Sequence, residues 1–122
     1  MPDGGGTFFL PRLVGYHKAF ELMATGDSIG AQEAQQLGFV NKVVPFSELD
    51  ATVDAFATRL ALAPPIAIAK IKDGLNHGAQ SDLAAALDFE AVNQDACFHS
   101  PDFIEGVTAF VQKRKAVFGK GV

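Results

Sequence analysis

Residues 38–45, Gly38-Phe39-Val40-Asn41-Lys42-Val43-Val44-Pro45, interrupt a pattern that is otherwise helical. Valine and phenylalanine are typical of strands, and the flanking glycine and proline are typical of strand boundaries. The segment therefore predicts one short β-strand. Because its backbone groups need partners and no second strand pattern occurs, we expect another copy of the chain, or a missing portion of the same protein, to complete the ladder.

Outside this segment, glycines and prolines separate stretches with the three-to-four-residue apolar spacing of helices. The first helix follows Gly4-Gly5-Gly6, the second begins near Tyr16 and the third near Ser28. Ser47, with Asp50 three residues later, predicts the N-cap of a longer helix. The fold class predicted for this chain is mostly α with one short β-strand.

A helix predicted from Ser81 carries two polar residues within its apolar stripe, which consists of Leu83, Leu87, Glu90, Gln94 and Phe98. Glu90 on such a face needs a partner. An ion pair with a lysine or arginine of a neighbouring helix explains it more simply than a catalytic role does.

The last helix has the strongest start signal in the chain. Ser100 is a typical N-cap, Pro101 a typical first helical residue, and Asp102 places an acid in the first turn. The apolar spacing predicts an inward face formed by Phe103, Val107, Phe110, Val111 and Arg114.

Composition excludes several classes of protein. The chain has 122 residues, 48% of them hydrophobic, and a formal net charge of −4. These values predict at most one soluble globular domain and no nucleic-acid partner. No apolar run approaches the roughly 20 residues that span a bilayer, so we expect no membrane partner. The single cysteine, Cys97, and the lack of a charged-then-apolar leader predict a cytoplasmic protein.

The last ten residues contain Lys113, Arg114, Lys115 and Lys120 and no acid. These cations could form a local anion site. On the residues alone, complementing the negative end of a C-terminal helix dipole is the favoured interpretation.

Three glycines precede the first helix, and such a run lets a backbone approach a ligand closely. The spacing matches neither a Walker loop nor a dinucleotide fingerprint, so a tight turn is the simpler interpretation. Asp3 beside this turn could serve as a general acid or base if Phe8 or Phe9 desolvates it. From spacing alone, capping of the helix is favoured for Asp3.

The histidines His17, His77 and His99 lie on different predicted elements, and the sequence predicts no metal site. Cys97 lies within an apolar helix face, which favours packing over a nucleophilic role. No covalent catalysis is predicted.

Several short motifs follow one another along the chain: Pro2-Asp3-Gly4-Gly5-Gly6-Thr7, Leu10-Pro11-Arg12-Leu13-Val14-Gly15, Ala31-Gln32-Glu33-Ala34, residues 38–45, Pro64-Pro65, and Glu105-Gly106-Val107-Thr108-Ala109-Phe110 with Lys113-Arg114. In number, order and spacing, these motifs resemble the C-terminal portion of the enoyl-CoA hydratase/isomerase (crotonase) family. The likeness covers essentially the whole chain.

This resemblance implies an α/β crotonase fold, in which a spiral of ββα turns is followed by trimerising helices. Residues 1–45 would be the end of the spiral core, truncated at its N-terminus, and residues 46–122 the helical region for oligomerisation and CoA contact. A homo-oligomer, trimer or hexamer, is implied. We expect so short a portion to expose apolar residues such as Phe8, Phe9, Leu13 and Val40 and to self-associate.

The resemblance also implies an activity on acyl-CoA thioesters, through an enolate-like intermediate held by two backbone N–H groups that lie upstream of this chain. The chain alone would then lack the oxyanion hole. No metal or redox cofactor is implied, since coenzyme A enters as part of the substrate. A non-catalytic helical module that self-associates or binds acyl-CoA is the alternative.

Site residues follow from the same resemblance. Hydratases of the family commonly have glycine at the position of Asp3, whereas several isomerases have a catalytic aspartate there, so Asp3 becomes a candidate acid/base next to the substrate-binding Gly4 and Gly5. Phe110 and Lys113 match positions where the last helix contacts the CoA of a neighbouring subunit. This interpretation replaces the purely dipolar role of the basic C-terminus.

Overall fold

The computed structural model describes residues 1–120, and all regular structure within this range is helical. The α-helices are α1 (Gly6–Val14), α2 (Tyr16–Thr25), α3 (Ala31–Gln36), α4 (Leu49–Ala61), α5 (Pro65–Gly78), α6 (Leu83–Phe98) and α7 (Pro101–Val111). They form two compact units, Met1–Leu49 and Asp50–Val122. The boundary predicted between residues 45 and 46 remains a prediction, and residues 121 and 122 of the predicted helical region lie outside the described range.

In the first unit, α1 packs against α2, and Ala19 on α2 is buried. Lys18 on α2 reaches Glu21 at 2.8 Å and Glu33 on α3 at 3.4 Å. The hydrogen bond with Glu21 is the largest of the effects that raise the pKa of Lys18. Lys18 therefore links α2 to α3.

The β-strand predicted over Phe39–Val44 is wrong for this chain, because no strand occurs between residues 1 and 120. The start of the segment closes α3 instead. Gly38, at φ 85°, donates its N–H to Gln35 O at 3.1 Å, and Phe39 donates to Ala34 O at 2.9 Å. A ladder needs a second backbone alongside, which strand propensity in one segment does not supply.

The fourth helix starts without the predicted cap. Ser47 lies inside a 3₁₀ turn, Phe46–Glu48, that leads into α4, and no side-chain hydrogen bond caps this turn. The sequence pattern of Ser47 and Asp50 was therefore misleading, because the 3₁₀ turn places the serine within the helical path.

In the second unit, α6 packs between α5 and α7. Asp82, one residue after the predicted start at Ser81, caps α6 by accepting a 2.9 Å hydrogen bond from Ala85 N. The more buried side of α6 consists of Ala85, Ala86, Phe89, Asn93 and Cys97. The predicted stripe, Leu83 to Phe98, is exposed instead. The apolar residues of α6 occur on all sides of the helix, so their spacing did not select the packed face.

The start of α7 is confirmed. Ser100 Oγ accepts from Phe103 N at 3.2 Å and donates to Cys97 O at 2.7 Å, and Pro101 is the first helical residue. The predicted inward face is wrong for this chain, because the buried residues of α7 are Asp102 and Ala109. Arg114 lies beyond the end of the helix at Val111.

Large apolar side chains remain exposed in both units. The accessible surface is 9552 Å². Two separate compact bodies of these residue ranges would expose about 7,600 Å² together. Phe8, Phe9, Leu13 and Val40 are exposed as predicted. No single helix between residues 1 and 120 has the length and apolar character to cross a membrane, although the pair Phe46–Ala61 and Pro65–Gly78, bent by 105°, meets both criteria together.

Candidate functional site

A tight turn precedes α1. Gly6 donates its N–H to Asp3 O at 3.0 Å, while Gly4 and Gly5 take φ values of 58° and 86°. Two consecutive left-handed residues define a type I′ turn, which glycine adopts at little cost. The three-glycine run therefore forms a turn and helix start, as its simpler interpretation predicted.

The carboxylate of Asp3 is exposed and does not cap α1. Gly5 is the N-cap residue, and no side-chain hydrogen bond is made there, so the capping interpretation of Asp3 is wrong. Phe8 and Phe9 are exposed and meet edge to face at 5.2 Å. Neither ring buries Asp3 in this chain, so the desolvation by Phe8 or Phe9 that would favour an acid/base role is not present here.

A second left-handed turn follows α7. Lys113 has φ 53° and is the non-glycine residue with positive φ between residues 1 and 120. Lys113 N donates to Phe110 O at 3.1 Å, and Arg114 N donates to Ala109 O at 3.0 Å. These two bonds make a Schellman motif, in which the left-handed position usually carries glycine.

Arg114 and Glu105 form an ion pair across this turn. The guanidinium donates through Nη1 to Oε1 at 2.6 Å and through Nη2 to Oε2 at 2.8 Å. Val117 N donates to the same Oε1 at 2.9 Å. The hydrogen bonds from Arg114 are the main cause that lowers the pKa of Glu105 to about 2, and the pair raises the pKa of Arg114. Glu105 is therefore ionised throughout the physiological range.

Residues 115–120 return toward α7. Gly119 N donates to Oδ1 of the buried Asp102 at 2.8 Å. The Phe118 ring lies 3.6 Å from where a Cβ on Gly106 would stand, so the glycine leaves room for the ring. Asp102 and Glu105, on α7, thus both hold the segment that follows Lys113.

Phe110 and Lys113, the predicted CoA contacts, are adjacent through the hydrogen bond that closes α7. Phe110 is 84% exposed. It borders an apolar groove of about 410 Å³ that is also lined by Pro64, Ala67, Phe103 and Val107. An exposed ring beside an exposed ammonium can present an apolar and a cationic contact together.

The structure groups the predicted site residues in two places. Asp3, Gly4 and Gly5 share the turn of the first unit, and Phe110 and Lys113 share the helix end of the second. Sequence reasoning missed the link between Glu105 and Arg114. The spacing of Asp102 and Glu105, one helical turn apart, places both acids on one side of α7, but it does not point to Arg114.

A larger groove of about 860 Å³ lies between α5 and α6, and Lys70, Glu90 and Cys97 are among its lining residues. Glu90 forms no ion pair within residues 1–120, so the predicted pair is not present in this chain. The described residues contain no group of three or more His, Cys, Asp or Glu side chains that could hold a metal ion.

Known proteins match this chain along nearly its whole length. A family model described as "Enoyl-CoA hydratase/isomerase" matches residues 1–121. A crotonyl-CoA hydratase of Syntrophomonas wolfei is 44% identical over 96% of this chain and 45% of its own length. A 1,2-epoxyphenylacetyl-CoA isomerase of Escherichia coli is 35% identical over 97% of this chain and 45% of its own.

A solved structure agrees in fold. The enoyl-CoA hydratase from Bacillus anthracis superposes with a TM-score of 0.87 at 38% identity, covering 97% of this chain and 46% of that one. The chain therefore spans less than half the length of these relatives.

Proposed function

The chain belongs to the enoyl-CoA hydratase/isomerase family, and on that premise we propose that it is part of an enzyme that hydrates an enoyl-CoA or shifts its double bond. The proposal includes an enolate-like thioester intermediate. The single observation that carries it is the match of one family along residues 1–121. The relatives include a hydratase and an isomerase by name, so both reactions are retained.

For the double-bond shift, this proposal makes Asp3 the acid/base. Its carboxylate removes a proton from one carbon of the enoyl chain and returns it to another, which moves the double bond. Support comes from the geometry of the turn, because Asp3 is not engaged as a helix cap and stands beside glycines that let a substrate approach the backbone closely. Two backbone N–H groups, placed outside these 122 residues by the family resemblance, would stabilise the thioester oxyanion.

The second unit would contribute the CoA contacts. Phe110 would contact an apolar part of the coenzyme A moiety of the substrate. The ammonium of Lys113 would contact a phosphate or the adenine side of the same moiety. Their shared exposure at the end of α7 supports this assignment. The reaction would need no metal or redox cofactor.

The remaining assignments are also proposals. Residues 1–45 would close the spiral core, and residues 46–122 would form the trimer or hexamer and reach the CoA of a neighbouring subunit. The exposed apolar faces of both units support contact with further protein surface. We place the enzyme in the cytoplasm.

Turnover of a short enoyl-CoA tests the proposal, with hydration and double-bond migration followed together. The chain is assayed alone and after mixing with the part of the Syntrophomonas wolfei relative that precedes the matched region. We expect activity on mixing and a loss of double-bond migration, by about a hundredfold or more, with Asp3→Asn, since a positioned acid/base contributes roughly 10²–10⁴. Asp27→Asn, an exposed aspartate of the same unit, is the matched control.

A second function is favoured by the exposed apolar surface alone. The chain would then be a non-catalytic helical module that self-associates or binds acyl-CoA. Oligomers and CoA binding without turnover in either mixture would support this function and contradict the first. A monomer in light scattering would contradict self-association.

A further inference from the structure

Two helix ends in this chain close with the same hydrogen bonds but with different residues. At the end of α3, Gly38 and Phe39 donate to Gln35 O and Ala34 O. At the end of α7, Lys113 and Arg114 donate to Phe110 O and Ala109 O in the same spacing. A glycine at position 113 would close α7 equally well and avoid left-handed strain. The lysine side chain therefore has a use that the turn itself does not require.

The ion pair explains how the lysine is held in this conformation. Arg114 directly follows Lys113, and its backbone N–H is fixed to Ala109 O. Its side chain is fixed by both oxygens of Glu105 and by Gln112 Oε1 at 2.7 Å. A two-pronged guanidinium–carboxylate contact fixes orientation as well as distance. The peptide on each side of Lys113 is thus anchored to α7.

We call the ion pair of Glu105 and Arg114 the clamp. Two acids of α7 also hold the segment after the turn. Glu105 accepts from Val117 N, and Asp102 accepts from Gly119 N. The side chains of Glu105 and Arg114 are 25% and 41% exposed, so the ion pair is partly open to solvent. With its pKa lowered to about 2, Glu105 keeps its charge at every pH at which the protein would work.

We infer that Glu105 and Arg114 are positioning residues, which hold Lys113 in its left-handed conformation so that its ammonium is set for the phosphates of coenzyme A. This inference rests on the proposed function, because it takes the CoA contact of Lys113 as given. The affinity for CoA is proportional to the fraction of chains in which the turn has its binding-competent conformation. If release of the clamp leaves one chain in five in this turn, affinity falls about fivefold.

A double-mutant cycle tests the inference, with the 122-residue chain mixed with the part of the Syntrophomonas wolfei relative that precedes the matched region, and with CoA and pantetheine as probes in calorimetry. Pantetheine lacks the phosphates and reports binding that does not involve Lys113. We expect Glu105→Gln to weaken CoA binding about fivefold and to leave pantetheine binding unchanged. In a Lys113→Ala background, Glu105→Gln should then have no further effect on CoA. Lys72→Ala removes an exposed lysine of α5 and is the matched control.

A charge-reversed pair separates positioning from folding. Glu105→Arg with Arg114→Glu restores the ion pair but not the hydrogen bond from Val117 N, so we expect it to recover part of the CoA affinity that either single change loses. Equal weakening of CoA and pantetheine by Glu105→Gln, or an additive effect on top of Lys113→Ala, would overturn the positioning role while leaving the CoA contact in place. If Lys113→Ala itself leaves CoA affinity unchanged, the CoA contact in the proposed function fails, and the inference is overturned with it.

Discussion

The ends of α3 and α7 are the same backbone turn made in two ways. At α3, Gly38 takes the left-handed conformation with φ 85°, and only a long 3.4 Å hydrogen bond from Gln35 Nε2 to Asn41 O spans the turn among the side-chain bonds of residues 1–120. At α7, Lys113 takes it with φ 53°, and the neighbouring side chains of Arg114 and Glu105 hold the turn. The first end is specified by the freedom of glycine, and the second by tethered side chains. A turn of the second kind can display a functional group, whereas the first cannot.

Exchanging the residues should have the largest effect at α3. Gly38→Lys places a side chain in the left-handed region without a clamp. Strain of roughly 1–2 kcal/mol exceeds the roughly 0.5–1 kcal/mol of entropy recovered by replacing glycine, so we expect the free energy of unfolding to fall by up to about 1.5 kcal/mol. A Cβ there would meet only Leu13 O at 3.9 Å, so the loss reports backbone strain and not a clash. Urea denaturation measures the change.

Gly38→Asn is the control for this exchange. Asparagine tolerates the left-handed conformation better than lysine does, so its loss should be smaller. Equal losses for the two variants would mean that a side chain at this position, and not the conformation, is the cause.

The starts of α3 and α7 differ as well. The N-cap of α3 is Gly30, with no side-chain hydrogen bond, whereas α7 starts with the buried Ser100 bonded to Phe103 N. We expect Ser100→Ala to lower the free energy of unfolding by about 1 kcal/mol. Ser47→Ala, at the serine that proved not to be a cap, should change it by less than about 0.5 kcal/mol. A comparable loss at Ser47 would contradict the assignment of the caps.

The reverse exchange at α7 should stabilise the protein. A left-handed residue other than glycine costs roughly 1–2 kcal/mol, and glycine loses about 0.5–1 kcal/mol more entropy on folding, so Lys113→Gly should gain up to about 1 kcal/mol. Thermal unfolding measures the gain. Lys115→Gly, outside the left-handed region, has no strain to relieve and should not stabilise the protein. A loss of stability at Lys113→Gly would show that the lysine side chain itself holds the turn.

Much of the helical organisation could be predicted from local signals. Ser100 and Pro101 mark a helix start because the cap bond joins residues three apart, within reach of the sequence pattern. The strand predicted at residues 39–44 could not be judged in this way, because a ladder depends on a distant partner. The packed face of α6 was also hidden, since apolar residues occur on all its sides.

The candidate site was only partly visible in the sequence. Residue type and order suggested Asp3, Phe110 and Lys113, because they match family motifs. The left-handed turn at Lys113 was not visible, since a lysine does not signal positive φ. Nor was the pair of Glu105 and Arg114, whose nine-residue separation crosses the end of a helix and follows no helical spacing.

The clamp that distinguishes the two helix ends should also give the smallest effect, at low pH. Because the folded-state pKa of Glu105 is lowered from 4.5 to about 2, its contribution to stability is present above pH 4.5 and is lost as the pH falls through 2. We therefore expect Glu105→Gln to remove an acid-dependent loss of stability between these values and to leave the pH dependence from 5 to 7 unchanged. Denaturation midpoints measured across this range provide the test. Glu48→Gln, an exposed glutamate before α4, is the control. If Glu105→Gln leaves the acid-dependent loss of stability between pH 4.5 and 2 unchanged, the carboxylate is not held by Arg114 in solution, and the two helix ends differ only in sequence.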